Sequence, residues 1–229
     1  MVEPIDSTRE PAAIIGQADC FLAVLERVSR IAPLAKPVLI VGERGTGKEV
    51  IASRVHYLSE RWQRSLVKFN CAALNEELLE SELFGHVAGA YTGAARARAG
   101  RFELADRGSL FIDELALMSM RLQEKLLRVI EYGEYERLGA SETLRTDVRL
   151  IAAVNVDLPA LARTGRFRED LLDRLSFDVI TLPPLRARRD DILLLAQRFG
   201  EDMAHELGQH VFPGFTRAAQ QQLEAKENI

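Results

Sequence analysis

The stretch GERGTGKE, residues 42–49, constrains the fold of this chain more than any other feature of its sequence. It follows the short apolar run VLIV (38–41) and opens a segment with helical spacing of apolar residues, which is the strand–loop–helix context of a phosphate-binding loop. Its glycines let backbone N–H groups turn inward around phosphates, and its lysine can reach the β and γ phosphates of a nucleotide. The pattern predicts a nucleotide site that includes Gly42, Glu43, Arg44, Gly45, Thr46, Gly47, Lys48 and Glu49.

The position after the lysine departs from the usual pattern of such loops, which have Ser or Thr where this chain has Glu49. A hydroxyl ligand for Mg²⁺ is therefore missing there, and the metal must depend on other groups or on water. The run SLFIDEL places Asp113 and Glu114 at the carboxyl end of an apolar strand, where ligands bind in open parallel sheets. Asp113 is suited to hold Mg²⁺, and Glu114 to polarise the water that attacks the γ-phosphate. An apolar run that ends in Asp-Glu is also a common strand end, and its pairing with the loop at 42–49 favours the functional interpretation.

Two asparagines end further apolar runs. Asn155 follows AAV, where its amide can lie between the two carboxylates and the γ-phosphate, and Asn70 ends the run KF in a similar position. Asn155 has an alternative role as the cap of a helix that begins near Asp157. Both asparagines are candidate polar groups of the nucleotide site.

Short apolar runs alternate along the chain with longer stretches of helical period, which predicts βα units and a parallel sheet. The runs are nearly continuously apolar, as strands covered on both faces should be. The expected architecture is an α/β fold with a five-stranded parallel sheet between helices. The predicted strands are residues 38–41, 66–70, 109–113, 149–154 and 178–182, and the predicted helices are residues 20–32, 47–58, 75–83 and 120–132.

Composition limits the other functions that the chain could have. A formal net charge of −4 argues against a broad basic face that grips nucleic acid, so specific DNA binding would need another module. The acidic start of the chain has no signal-like apolar run, and no stretch approaches 18 apolar residues, so we expect a cytoplasmic protein without a membrane span. Cys20 and Cys71 lack CxxC spacing, which argues against a disulfide framework or a zinc site, and both are predicted to be buried small hydrophobic residues.

Two of the arginines in the segment GRFREDLLDRLSF have more than one possible role. Arg168 and Arg174 are six residues apart and so do not share one face of a helix. Solvated arginines on a surface helix are the ordinary explanation. In an NTPase that assembles as a ring, an arginine can instead reach the γ-phosphate of the neighbouring subunit and stabilise transition-state charge.

The stretch ELFGHVAGAYTGA, residues 82–94, is rich in Ala and Gly, with one aromatic residue near its end, Tyr91, and one hydroxyl, Thr92. Small residues pack poorly and cost backbone entropy to order, so stability does not account for their presence here. We therefore predict that this stretch has a functional role.

These motifs resemble the AAA+ domain of bacterial enhancer-binding proteins, the ATPases that activate sigma-54 RNA polymerase. GERGTGKE, NCAAL, ELFGHVAGAYTGA, GSLFIDEL, LQEKLLRVIE and FREDLLDRLSFDVITLPPLRAR occur in the family's order, within residues 14 to about 215. The resemblance implies an AAA+ P-loop NTPase that uses ATP and Mg²⁺ and remodels the closed promoter complex to start transcription. It adds to the expected ATP site the residues Ile14, Ile15 and Gly16.

The resemblance also implies roles for the remaining candidate residues. Residues of about 82–100 would form a mobile loop inserted into a helix, with a tip that contacts sigma-54. Asn70 would couple phosphate sensing to Glu114, and Asn155 would be the first sensor, preceded here by Val154 where the family usually has Thr. Arg168 and Arg174 would act across a hexamer interface. The expected sigma-54 contact residues are Gly89, Ala90, Tyr91, Thr92, Gly93 and Ala94, with Tyr91 at the position where the family usually has Phe.

The implied partners are the sigma-54 RNA polymerase holoenzyme, further copies of the chain in a homohexamer ring, and an inhibitor of the phage shock protein A type. Enhancer DNA would be bound only through a C-terminal helix-turn-helix, which we expect to be absent here along with the second sensor arginine. The few residues before Ile14 leave no room for a receiver domain of about 100 residues.

A boundary is expected at LPPLRARRDDI, residues 182–192, because two prolines and a charge run interrupt any strand or helix. We expect a nucleotide-binding subdomain over residues 1–187 and a partial helical lid over 188–229, with amphipathic segments at 190–208 and 215–228.

Two other functions remain as alternatives. Another AAA+ remodelling ATPase, such as an unfoldase or a clamp loader, would share the nucleotide site but would lack GAYTGA. A nonhydrolysing ATP-dependent scaffold would use the loop to bind a partner without turnover, and the presence of Lys48, Asp113, Glu114 and Arg168 argues against it.

Overall fold

The computed structural model describes residues 14–209 and 211–225. Its strands are β1 (Val38–Val41), β2 (Leu66–Asn70), β3 (Ser109–Asp113), β4 (Glu134–Glu136), β5 (Thr143–Arg145), β6 (Arg149–Val154) and β7 (Val179–Thr181). Five of them form the predicted parallel sheet, in the order β2–β3–β6–β1–β7. Since β1 lies inside the sheet, the loop that follows it is flanked by the ends of other strands.

The five-stranded sheet is covered on both faces. All residues of β6 are buried, and alternate residues join different hydrophobic clusters. Leu150, Ala152 and Val154 contribute to one cluster, and Ile151 and Ala153 to the other. A strand with no solvent face needs no polar alternation, which explains why the sequence of β6 is continuously apolar after its first residue.

The helices are α1 (Asp19–Ile31), α2 (Lys48–Tyr57), α3 (Glu76–Phe84), α4 (Arg101–Leu104), α5 (Met120–Tyr132), α6 (Leu158–Arg163), α7 (Glu169–Leu175), α8 (Asp190–Glu206) and α9 (Arg217–Ala225). The four helices predicted before residue 133 agree with α1, α2, α3 and α5 to within one residue at each end. The ends of α5 show why: the side chain of Ser119 accepts a hydrogen bond from the N–H of Leu122, and Gly133 closes the helix with a φ of 66°.

Several short elements were not predicted. The antiparallel hairpin β4–β5 has strands of three residues, too short for a recognisable alternation of apolar and polar side chains. The short helix α6 is capped by Asp157, whose side chain accepts a hydrogen bond from the N–H of Ala160. The alternative role considered for Asn155, as the cap of this helix, therefore belongs to Asp157.

The prediction for the two cysteines is half wrong. Cys71 is buried, but Cys20 is exposed. The buried positions of α1 are Phe21, Val28 and Ile31, and Cys20 lies at the edge of that face. Within the described ranges, none of the helices is long and apolar enough to cross a membrane.

Candidate functional site

The predicted phosphate-binding loop connects β1 to α2 at the carboxyl edge of the sheet. Gly45 and Gly47 have φ angles of 78° and 94°, a left-handed conformation that glycine adopts without the steric cost of a Cβ. Lys48 is 8% exposed, and its Nζ donates hydrogen bonds to the carbonyl oxygens of Gly42 (3.0 Å) and Glu43 (3.1 Å). The loop therefore holds the ammonium group of the lysine close to its own backbone rather than in solvent.

Glu49 was predicted to contact the nucleotide together with the rest of the loop. Its carboxylate instead accepts a hydrogen bond from Nζ of Lys68 on β2, at 2.9 Å, and the Glu49 side chain is 63% exposed. The ion pair directs this carboxylate toward β2. The side chain of Glu49 therefore contacts β2, while its backbone belongs to the predicted loop.

Asp113 and Glu114 lie at the end of β3, at the same edge of the sheet. Glu114 has a φ of 53°, which is uncommon and energetically costly for a residue with a Cβ. Its backbone N–H donates to Oδ1 of Asp113 at 2.9 Å, and Glu114 as a whole is 9% exposed. Backbone strain of this kind accumulates at functional sites, where the surrounding structure enforces it.

Each carboxylate is bonded to an asparagine amide from a neighbouring strand. Nδ2 of Asn155, after β6, donates to Oε1 of Glu114, and Nδ2 of Asn70, at the end of β2, donates to Oδ2 of Asp113, both at 3.2 Å. The resemblance implied a link from Asn70 to Glu114, which differs from this pairing. The reason is the register of the sheet, which sets Asn70 directly opposite Asp113.

Val154 does not interrupt the connection between β6 and the phosphate-binding loop. It is fully buried, and its carbonyl oxygen accepts a hydrogen bond from the N–H of Gly42 at 3.1 Å. Because this contact uses only the backbone, it does not depend on whether the side chain at 154 is Val or Thr.

Two features of this edge were missed from the sequence. Nε of Arg44, in the phosphate-binding loop, lies 3.6 Å from Oε1 of Glu114, although the Arg44 side chain is 81% exposed. Burial, reinforced by the charges of Asp113 and Glu114, raises the pKa of the Cys71 thiol to about 12. Neither feature has a sequence signal, because both depend on which loops the sheet brings together.

A cavity of about 1020 Å³ opens beside the phosphate-binding loop. Its wall combines the segment before α1, the loop itself, the residues before α8, and apolar residues of α8 and α9; the residues include Ile14, Ile15, Phe21, Gly45, Thr46, Gly47, Arg188, Leu195, Phe199, Phe215 and Leu223. A Cβ at Gly16 would lie 2.3 Å from the Phe21 ring, so a glycine is needed there. The cavity combines the polar backbone of the loop and a few charged side chains with a larger number of apolar ones, as a site for a nucleotide with a planar base should.

The described part of the chain contains no group of three or more His, Cys, Asp or Glu side chains that could hold a metal ion. In nucleotide sites, Mg²⁺ is commonly held by one or two carboxylates together with phosphate oxygens and water.

Arg168 and Arg174 lie at opposite ends of α7 and do not line the cavity. Nη2 of Arg168 donates to Oδ2 of Asp170 at 2.8 Å, and this hydrogen bond lowers the pKa of Asp170. Nε of Arg174 donates to Oε1 of Glu131 at 2.8 Å. The two arginine side chains are 29% and 60% exposed. Within one chain, neither arginine joins the residues at the carboxyl edge.

The stretch GAYTGA lies in the loop 85–100, which connects α3 to α4. The N–H of Gly89 donates to the carbonyl oxygen of Ala94 at 2.8 Å and closes the tip into a turn. Thr92 is exposed at this turn, whereas Tyr91 is half-buried, with its ring 5.2 Å from the ring of His86 in a T-shaped contact. The hydroxyl predicted to be functional is therefore free of the core.

The base of the same loop is packed tightly. A Cβ at Gly100 would lie 2.3 Å from the backbone nitrogen of Gly85, so the two ends of the loop cross in close contact. His86 is buried and shares a hydrogen bond of 2.7 Å between its Nδ1 and Oγ of Ser81 on α3. The loop thus has a fixed base joined to α3 and an exposed tip.

Known proteins share both the sequence and the architecture. The family model described as the sigma-54 interaction domain matches residues 14–181. The Psp operon transcriptional activator of Escherichia coli (strain K12) is 61% identical over 210 residues, which are 92% of this chain and 65% of that protein. The chain therefore spans about two thirds of the length of that relative.

Solved structures agree with the fold. NtrX from Brucella abortus, in complex with ADP, superimposes with a TM-score of 0.87 at 32% identity, over 94% of this chain and 48% of that one. The P-loop NTPase domain of an E. coli sigma-54 transport activator matches with a TM-score of 0.51 at 18% identity, over 75% of this chain and 99% of that one. The fold is that of a P-loop NTPase.

Proposed function

Since this chain belongs to the family of sigma-54 interaction domains, we infer that it hydrolyses ATP to remodel the closed complex of sigma-54 RNA polymerase and so activate transcription. The motif resemblance to bacterial enhancer-binding proteins is confirmed by the family match and by the Psp operon transcriptional activator among the relatives. One observation supports the proposed activity above the rest: Lys48, Asp113, Glu114 and Asn155 converge at one edge of the sheet, beside a cavity of nucleotide size.

The chain's own residues would divide the work of hydrolysis. Lys48 would bind the β and γ phosphates of ATP, and Asp113 would hold Mg²⁺, which neutralises phosphate charge when bound. Glu114 would take the proton of the attacking water, held in place by the amide of Asn155. Ile14, Ile15 and Phe21 would enclose the base on the apolar side of the cavity.

Hydrolysis would require a second copy of the chain. Arg168 and Arg174 lie outside the cavity of their own chain and keep part of their side chains exposed. We infer that they reach the phosphates bound by a neighbouring copy in a hexamer ring, where an arginine stabilises the charge of the transition state. Arg168 would have to leave Asp170 to do so, so assembly and activity would be coupled.

The loop 85–100 would make the contact with sigma-54. Its exposed tip offers the Thr92 hydroxyl and one edge of the Tyr91 ring, and its base is joined to α3. We infer that this tip binds sigma-54 in a nucleotide-dependent manner.

We further propose a cytoplasmic location, regulation by a phage shock protein A-type inhibitor, and a division into a nucleotide-binding subdomain up to residue 187 and a helical lid from residue 188.

Two measurements test this function together. Steady-state ATP hydrolysis, followed at rising protein concentration, should show specific activity that increases as the ring assembles. Pull-down of sigma-54 should succeed with ATP and a metal-fluoride mimic of the transition state, and fail with ADP. Lys48→Ala serves as the matched control that should lose both signals.

The same measurements distinguish the alternatives. Nucleotide-dependent capture of sigma-54 without turnover would identify a nonhydrolysing scaffold. Turnover without capture of sigma-54 under any nucleotide condition would identify a different AAA+ remodelling ATPase.

A further inference from the structure

A buried ion pair joins the segment before α8 to the first turn of that helix and has no role in the hydrolysis proposed for this site. Arg188 is 6% exposed and Asp191, in the first turn of α8, is fully buried. Nη1 of Arg188 lies 3.9 Å from Oδ2 of Asp191. Removing two charges from water is expensive, and such a pair is weak support for stability by itself, so its other contacts are informative.

Asp191 binds the chain segment that forms one wall of the cavity. Its Oδ1 accepts hydrogen bonds from the backbone N–H groups of Gln17 (2.6 Å) and Ala18 (3.0 Å). These residues follow Ile14 and Ile15, which line the cavity. The carboxylate therefore fixes the position of the 14–18 segment relative to the start of α8.

Arg188 contacts α1 and the phosphate-binding loop, which also line the cavity. Its guanidinium lies over the ring of Phe21, 4.6 Å from the ring centroid, and its Nη2 donates a hydrogen bond to the carbonyl oxygen of Thr46 at 3.2 Å. Thr46 is in the middle of the phosphate-binding loop. One side chain thus contacts both α1 and the loop.

The carbonyl oxygen of Thr46 shares a peptide unit with the N–H of Gly47. A trans peptide is planar, so these two groups point in opposite directions, and fixing one fixes the other. The hydrogen bond from Arg188 is therefore well placed to orient a loop N–H that would face a bound phosphate.

We propose that Arg188 is a positioning residue that sets the orientation of the Thr46–Gly47 peptide in the phosphate-binding loop, and that Asp191 couples this orientation to the 14–18 segment. The inference rests on the proposed nucleotide site and adds to it a residue that acts through the backbone of the loop. Loss of Arg188 weakens binding of the phosphates without removing any group that reacts.

The test compares Arg188→Met with Arg189→Met in the full chain. Arg189 is the adjacent residue, carries the same charge and is exposed, so its substitution controls for the loss of one positive charge. We expect Arg188→Met to raise the KM for ATP and the Kd for ADP about tenfold, with kcat within about threefold of the parent. Arg189→Met should keep KM within about twofold.

Rescue separates positioning from packing. Arg188→Lys keeps a charged donor of similar reach and should return KM to within about threefold of the parent. Asp191→Asn keeps an acceptor for the N–H groups of Gln17 and Ala18 but removes the charge that holds Arg188, and should raise KM about threefold. If circular dichroism shows that Arg188→Met does not fold, Asp191→Asn decides the question, and an unchanged KM in that variant overturns the proposal.

The two proposals fail in different ways. If the parent chain hydrolyses ATP and Arg188→Met has the same KM for ATP, only this inference is overturned. A parent chain that does not bind ATP overturns the proposed function and this inference together.

Discussion

At the carboxyl edge of the sheet, Lys48 and Glu114 are 8% and 9% exposed, and each is hydrogen-bonded to another group of the site. At the tip of the loop 85–100, by contrast, Thr92 is exposed and Tyr91 is half-buried, with its ring against the ring of the buried His86. In the first region, burial and the strained backbone of Glu114 hold a few polar atoms in fixed positions. The second leaves Thr92 and Gly93 accessible to a partner, whereas Ala94, which was also predicted to contact one, is buried.

A short path in the chain joins the two regions. Asn70 contacts Asp113 and begins the one-turn helix that leads to α3, and α3 ends at the base of the loop. The contrast therefore separates two kinds of substitution. Changes at the edge should alter hydrolysis, and changes at the tip should alter partner binding, and the following predictions are ordered by their expected effect on hydrolysis.

The largest effect is expected from a residue that belongs to neither region. Arg168→Ala should lower kcat by about a thousandfold or more, because it removes the charge proposed to act on a neighbour's phosphates, while ATP binding to its own cavity is retained. Calorimetric titration with ATP and a hydrolysis assay measure the two quantities. If analytical ultracentrifugation shows that the parent is a monomer under conditions in which it is fully active, one chain contains all the residues needed for hydrolysis. The prediction of a site shared between neighbouring chains would then be wrong.

At the edge itself, Glu114→Gln should bind ATP with near-parental affinity and lower kcat by about a hundredfold or more, because an amide cannot take a proton from water. The amide can still accept the hydrogen bond from Asn155, so the fold should be kept, as a melting curve would verify. Turnover within about threefold of the parent would show that this carboxylate is not the general base.

At the tip, Thr92→Ala should leave kcat within about twofold and the melting temperature unchanged, because the side chain is exposed. Capture of sigma-54 with ATP and metal fluoride should nevertheless be lost. A drop in hydrolysis comparable to that of Glu114→Gln would erase the contrast between the two regions.

The smallest effect is expected from Tyr91→Phe, which keeps the ring that contacts His86 and should change neither hydrolysis nor sigma-54 capture by more than about twofold. Tyr91→Ala is its matched partner and should lose capture while it keeps hydrolysis. Retained capture in both Tyr91→Ala and Thr92→Ala would show that the tip is not the contact surface.

Much of the fold could be predicted because its signals are local. The strands of the sheet are nearly continuous apolar runs, and α5 has both its N-terminal Ser119 and its C-terminal Gly133 in the sequence. The hairpin β4–β5 was missed because its strands, EYE and TLR, are not apolar runs, and the helix α6 was missed because six residues are too few to show a helical period. Cys20 was misplaced because a small residue next to an apolar face gives no sign of which side it faces.

The sequence by itself determined the phosphate-binding loop, the two carboxylates at the end of β3 and the unusual GAYTGA stretch, since each depends on residues that are adjacent in the chain. Only the tertiary structure decided the pairing of Asn70 with Asp113, the ion pair that turns Glu49 toward Lys68, and the position of Arg188 against Thr46. These contacts join residues far apart in the chain, and their partners are set by strand register and helix packing. A local pattern specifies which elements form, whereas the burial of their apolar faces selects which polar atoms meet.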